Sequence, residues 1–345
     1  RDPMRPRPEP LTCAREPSER PQVLLVVKGH RMGSLYMAEL MNGHADTLFM
    51  FEADLCMSTD AQIGFLLNGT CPEQAKPSCC RGLRDASRCR VRGLSVALPG
   101  AGPGHGDNLL ARLAELHAAG ALPREQLEGI TLVAHYRHNI LKQLLSNQLG
   151  GGSHKYALVK RGGNASQPHS NLLEAGCTQR QGCVEYTSSA KLAAEIFSRM
   201  GFELRRAESA RGAAASLGLA WPVNLSYEGL QSAPEAELAR IVGHTPPFDV
   251  ASWLARKREP RTLGAQQLVR EQVKVHDERL SALVPGFPRL AHELEARPEL
   301  ECLSEQLIDA ILLRRPCWLA LSVQRAYQLR GQAIRGARHA PERLR

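Results

Sequence analysis

Aromatic residues are scarce: Phe, Trp and Tyr make up 5% of the 345 residues. So few rings give no series of stacking platforms for single-stranded nucleic acid, and no DNA- or RNA-binding motif accompanies them. No apolar run reaches the ~18–20 residues that span a bilayer. The best stretch, Ile311 to Val323, is broken by Arg314-Arg315-Pro316. The pattern G-x-x-x-x-G-K-[ST] is absent, which removes the nucleoside triphosphatases that depend on it. No C-x-x-C pair occurs, so the regular zinc spacings have no foothold. There is no internal repeat.

What is present is an ordinary globular composition, 43% hydrophobic and 23% charged, long enough for one large α/β domain or two smaller ones. Lys and Arg outnumber Asp and Glu by 44 to 35, a net charge of +9. That balance suits a polyanionic cofactor, a sulfated or uronic glycan, a nucleic acid or a membrane surface. Residues 1–22, rich in Pro, Arg and Glu, read as a stem or linker. The opening residue is Arg1, and a signal or anchor preceding it is the one membrane link the sequence allows.

The ten cysteines include a crowd at Cys71, Cys79, Cys80 and Cys89, and a pair, Cys177 and Cys183, around a short loop. Disulfides are favoured over zinc, although ten cysteines leave the pairing open. Glycosylation sequons stand at Asn68-Gly69-Thr70, Asn164-Ala165-Ser166 and Asn224-Leu225-Ser226, the last expected to be hidden in a sheet. Cysteines and sequons together favour a secretory lumen.

Apolar β-branched runs alternate with amphipathic stretches. The expected order is strand 23–28, helix 34–43, strand 47–51, helix 58–67, a cysteine-rich insertion 70–90 and strand 91–97. Helix 107–119, strand 129–134, helix 138–149 and a fifth strand over Leu217 to Leu225 follow, then an acidic helix from Pro234. Helices are expected over 187–215 and most of 262–332. This alternation predicts a three-layer α/β fold: a central, mostly parallel sheet flanked by helices, with a helical C-terminal extension. The organisation expected is a stem (1–22), an α/β domain (23–285) with insertions at 70–90 and 150–186, and a helical extension with a basic tail (286–345).

The stretch Val23 to Lys28, then Gly29-His30-Arg31-Met32-Gly33-Ser34, reads as strand, tight turn and helix start. Such a turn aims backbone N–H groups and the helix dipole at an anion, and Lys28 and Arg31 add positive charge. A second strand end carries Arg137, with Ser146 nine residues further along an amphipathic helix. Glu52 ends the apolar strand Leu48 to Phe51. On a parallel sheet these strand ends converge at one edge.

The chain here resembles the sulfotransferases that use 3′-phosphoadenosine 5′-phosphosulfate, in particular the carbohydrate, Golgi-type enzymes. Arg31-Met32-Gly33-Ser34 looks like the family's Arg-[Ser/Thr]-Gly-[Ser/Thr] loop. Asn42-Gly43-His44-Ala45-Asp46 and Phe51-Glu52 resemble its Asn-x-His-Pro-Asp and Phe-Glu-Pro. Arg137 and Ser146 match its 3′-phosphate pair, and Tyr227-Glu228-Gly229-Leu230 resembles Tyr-Glu-Asp-Leu. The likeness covers roughly residues 22–285. Departures are Met32, Leu35, Ala45, Ala53, Gly229 and Arg92-Gly93-Leu94 where relatives have Gly-Phe-Lys.

The resemblance implies a P-loop-like fold and sulfuryl transfer to a hydroxyl, or an amine, of a carbohydrate acceptor, with no metal. It casts Arg31, Met32, Gly33, Ser34, Leu35, Tyr36, Arg137 and Ser146 as cofactor-binding, and Arg31 and Lys28 as stabilisers of the leaving group. Glu52 becomes the general base, with Asp54 and His44 as reserves. Acceptor recognition would fall in 150–186, through Lys155, Lys160 and Arg161. Two alternatives stay open: a non-catalytic binder of anionic glycans with this fold, and another phosphate-binding α/β transferase.

Overall fold

The computed structural model describes Cys13, Ala53, Tyr186, Leu280, Val284 and residues 21–29, 33–50, 57–70, 86–97, 106–150, 188–220, 222–244, 248–256, 286–297, 301–307 and 317–339. Two compact units emerge: Arg1–Tyr136 with Arg206–Leu268, and Arg137–Arg205 with Val269–Arg345.

The chain runs β1 (Gln22–Lys28), α1 (Ser34–Asn42), β2 (Thr47–Met50), α2 (Thr59–Asn68), β3 (Val91–Ala97), α3 (Gly106–Ala118), α4 (Arg124–Glu128) and β4 (Ile130–Tyr136). The second unit takes over with α5 (Ile140–Gly150) and α6 (Ser189–Ser216), whose residues from Arg206 onward belong to the first unit. There follow β5 (Val223–Ser226), α7 (Tyr227–Ser232), α8 (Pro234–Val242) and α9 (Val250–Ala255). The remaining helices, α10 (Phe287–Glu295), α11 (Glu301–Ser304) and α12 (Val323–His339), lie in the second unit.

The first unit is a five-stranded, all-parallel sheet in the order β2-β3-β1-β4-β5, flanked by helices. Along β1, β2 and β3 every residue is buried, rather than alternate ones, because both faces are covered. On one face Leu25, Val27, Leu94, Val96 and Leu132 pack with Leu66 of α2, Leu109 and Leu113 of α3, and Ala210 and Ala214 of α6. On the other, Leu24, Val26, Phe49, Val133 and Leu225 pack with Met37 and Met41 of α1, Leu238 and Ile241 of α8, and Trp253 of α9. Burying each such large aliphatic side chain stabilises the fold by roughly 1.5–3 kcal/mol.

Side chains finish what the backbone leaves open. The Ser58 hydroxyl accepts from Ala61 N at 3.3 Å at the start of α2, Ser226 from Gly229 N at 3.0 Å at the start of α7, and Asp249 from Ser252 N at 3.0 Å at the start of α9. The carboxamide of Asn42 pairs with both backbone groups of Phe49 in β2: its Nδ2 donates to Phe49 O and its Oδ1 accepts from Phe49 N, each at 2.8 Å. At the other end of the sheet the Arg240 guanidinium donates to Asn224 O in β5.

The stretch likened to Asn-x-His-Pro-Asp therefore holds structure together. His44 is 1% exposed and stacks on Trp253 with ring centroids 4.0 Å apart, and Asp46, 2% exposed, pairs with Arg256 at 2.6 Å. His44 thus packs at the end of α1, against the indole, as a residue that caps or packs there would.

Other expectations are corrected. The strand expected over Leu217 to Leu225 is confined to Val223–Ser226. Leu217 and Leu219 instead close the end of α6: Gly218 N donates to Ala215 O and Leu219 N to Ala214 O, and Leu217 packs into the core. Their apolar character serves a helix terminus. Asn224 lies on the outermost strand and is exposed, not hidden. Of the helix expected over most of 262–332, the described residues show α10, α11 and the start of α12, with single turns at Glu305–Leu307 and Cys317–Ala320.

Among the described residues two disulfides form, Cys13–Cys89 and Cys302–Cys317. Cys89 thus pairs outside its crowd, and Cys13, read as stem, is buried and fastened to the sheet unit. Cys56, Cys71, Cys79, Cys80, Cys177 and Cys183 lie outside the described residues. Disulfides of this kind belong to secreted or lumenal proteins. Among the described residues no helix is long and apolar enough to cross a membrane.

Candidate functional site

All five strands point the same way, so their carboxyl ends share one edge. From β1 the chain crosses toward β2, and from β4 it leaves toward β5 on the opposite side. The β1/β4 boundary is therefore where connections diverge, the place where open α/β sheets hold ligands. At that boundary Lys28 stands in register with His135. Both continue the pleat of the face that carries α1, Lys28 after Leu24 and Val26, and His135 after Val133. Both are buried, at 1% and 2% exposure.

After Lys28 the turn passes buried Gly29 and reaches Gly33, whose φ of 75° and ψ of 25° are left-handed. α1 starts at the next residue, and its first turn carries no acidic side chain. A Cβ on residue 33 would meet Tyr227 Cδ2 at 2.2 Å and Cε2 at 2.5 Å, so glycine is required twice over, by backbone and by space. The Tyr227 ring also meets Tyr36 edge-on with centroids 6.4 Å apart, and its hydroxyl accepts from Gln231 Nε2 at 2.8 Å. Ser226, which caps α7, fixes the point from which Tyr227 departs.

The field here is positive. Burial, then the charges of Lys28 and Arg206, lower His135 to about 3. The imidazole is neutral at physiological pH, with one nitrogen to donate and one to accept. Neither nitrogen has a hydrogen-bond partner among the described residues.

The second unit opens with Arg137, 8% exposed, directly after β4. Its turn is fixed from residues distant in sequence. His138 O accepts from Trp318 Nε1 at 2.9 Å and from Gln306 Nε2 at 3.2 Å. Gln306 Oε1 accepts from Ile140 N at 2.5 Å, and Gln306 O from Asn139 Nδ2 at 3.3 Å. Asn139 caps α5 by accepting from Lys142 N at 2.9 Å. Gln306 lies inside the loop closed by Cys302–Cys317, and Trp318 follows that loop directly.

Of the residues singled out from sequence, Lys28, Gly33, Ser34 and Tyr36 come together at the end of β1 and the start of α1. Arg31, Met32, Glu52, Asp54, Lys155, Lys160 and Arg161 lie outside the described residues. Leu35 and Ser146 sit on α1 and α5, and their side chains are likewise not described. Arg137 belongs to the other unit. Sequence reasoning passed over His135, Gln306 and Trp318. The one available signal was a histidine interrupting the end of an apolar strand.

No protein-family model and no curated protein matches the chain.

Proposed function

We propose that the chain is a sulfotransferase that moves a sulfuryl group from 3′-phosphoadenosine 5′-phosphosulfate to a carbohydrate hydroxyl in the lumen of the secretory pathway, as in the Golgi. The acceptor oxygen attacks sulfur, the bond from sulfur to the 5′-phosphate oxygen breaks, and the acceptor proton passes to Glu52. Arg31 and Lys28 offset the charge that grows on the departing phosphate, and the first-turn N–H groups from Gly33 to Tyr36 hold it. Arg137 takes the 3′-phosphate, with Ser146 beside it.

The observation that carries this reading is the β1–α1 turn. A buried lysine ends the central strand, and a left-handed glycine starts a helix with no acidic first turn. That is how a fold presents backbone donors to a phosphate. The positive surroundings of His135 and the oxidising compartment implied by two disulfides support it.

The test is calorimetric titration with 3′-phosphoadenosine 5′-phosphate, with adenosine 5′-monophosphate as the comparison. Binding that requires the 3′-phosphate, and that falls at least tenfold in Arg137→Ala, is expected. Equal affinity for the two nucleotides, or none for either, overturns the reading. Transfer of labelled sulfate to a glycan panel, abolished in Glu52→Gln, then separates an enzyme from a binder.

A further inference from the structure

We propose that Asn68 is a site of N-linked glycosylation, carrying an oligosaccharide on the sheet edge opposite the candidate functional site. The modification itself is independent of the sulfotransferase reading, and only the comparison of nucleotide binding that closes its test rests on that reading.

Asn68 is the last residue of α2, and both it and Thr70 are exposed. The backbone between them is firmly built. The Arg92 guanidinium, on β3, donates to Leu66 O at 3.0 Å and also to Leu67 O, closing the helix end with positive charge. Gly69 turns left-handed at φ 76°, its N–H donating to Phe65 O at 2.8 Å and its carbonyl accepting from Ala86 N at 2.7 Å. A Cβ on residue 69 would lie 2.6 Å from Ser87 N, so the small middle residue of the sequon is needed there. The chain thus fixes the main chain and leaves the two reactive side chains, a carboxamide and a hydroxyl, to solvent.

The other sequons differ. At Asn224-Leu225-Ser226 the carboxamide is exposed, but Ser226 is 6% exposed and its hydroxyl accepts from Gly229 N as the cap of α7. Asn164 lies outside the described residues. Asn68 alone, among the described sequons, has both side chains open.

Its surroundings fit the compartment in which such transfer occurs. Cys89, bridged to Cys13, stands a short distance along the same segment, and Cys89 N donates to Ala86 O at 3.0 Å. Asn68 precedes the start of β3 at Val91, at the amino edge of the sheet, while Lys28 and Gly33 mark the carboxyl edge. A glycan at Asn68 leaves the ligand edge uncovered.

The step requires an oligosaccharide delivered on a lipid pyrophosphate. The Asn68 amide nitrogen bonds to the anomeric carbon, the bond from that carbon to the pyrophosphate oxygen breaks, and the nitrogen gives up one proton. No electrons are transferred.

The full chain, exported through the endoplasmic reticulum of a eukaryotic host, is digested with a glycan-releasing amidase in heavy-oxygen water and its peptides weighed. Conversion of Asn68 to a heavy-labelled aspartate is expected, and Asn68→Gln and Thr70→Ala each migrate faster by one glycan while Thr70→Ser does not. Exported protein whose Asn68 peptide is unmodified overturns the proposal, whatever the state of Asn164 and Asn224. Asn68→Gln is also expected to bind 3′-phosphoadenosine 5′-phosphate as the parent does, and a large change would overturn the placement of the glycan away from that edge.

Discussion

The ring of Tyr227 fills the space that a side chain on Gly33 would need, 2.2 Å from an ideal Cβ to Cδ2. The two residues come from the β1–α1 turn and the β5–α7 junction, so the helix start is shaped by a strand two places away in the sheet.

Gly33→Ala should therefore cost about 1–3 kcal/mol through overpacking, with left-handed strain added. Denaturant unfolding measures it. Adding Tyr227→Ala should recover the packing part and leave the backbone part. A Gly33→Ala protein as stable as its parent would show that the turn is not built this way.

His135 makes a prediction about acid. Its folded value is about 3 against an ordinary value of 6.5, with burial as the main cause and Lys28 and Arg206 next. Between those two values the unfolded chain binds a proton that the folded chain refuses, so stability rises with pH there and is lost as pH falls. His135→Leu should flatten this dependence between pH values of about 6.5 and 3, leaving the parent and variant curves parallel above it. Melting temperature across that range is the readout.

Gln306 touches the turn after β4 through its side chain and its backbone. Gln306→Ala should leave Ile140 N unpaired in a buried setting, a loss of about 1–3 kcal/mol. Trp318→Phe removes one donor to His138 O and should cost less, about 1 kcal/mol. Amide exchange at Ile140 should speed up in the first variant and change little in the second.

The Cys13–Cys89 bridge closes a segment of 76 residues. Loop-entropy reasoning assigns such a bridge about 4–5 kcal/mol. The Cys13→Ala, Cys89→Ala pair should lower unfolding stability by up to that amount, while Cys302→Ala, Cys317→Ala, across a separation of 15, should lower it by about 3 kcal/mol. Urea unfolding of both pairs tests the order.

β1 and β4 were legible because buried parallel strands are written as local apolar runs, and local composition is what a sequence displays. β5 was overdrawn because Leu217 and Leu219 are as apolar as a strand, although their burial serves the end of α6. The end of β1 and the start of α1 were legible because a glycine between a strand and a helix is a local event. His135 was not, since a lone histidine in an apolar run looks like any core histidine until its neighbours in space, Lys28 and Arg206, are known. Gln306 could not be seen at all: its partners are 166 to 168 residues away. Asn42, His44 and Asp46, whose spacing is suggestive in the sequence, engage Phe49, Trp253 and Arg256, partners that only the fold reveals.

The pairing of Asn42 with Phe49 also bears on how this sheet behaves at high concentration. A sheet that ends in an open strand invites a second molecule to add to it. At β2 the N–H and C=O of Phe49 are already occupied by a carboxamide that imitates a neighbouring strand, and at β5 the Asn224 carbonyl is taken by Arg240. The fold thus carries its own stoppers at both margins, and a chain lacking Asn42 should be the one that gels.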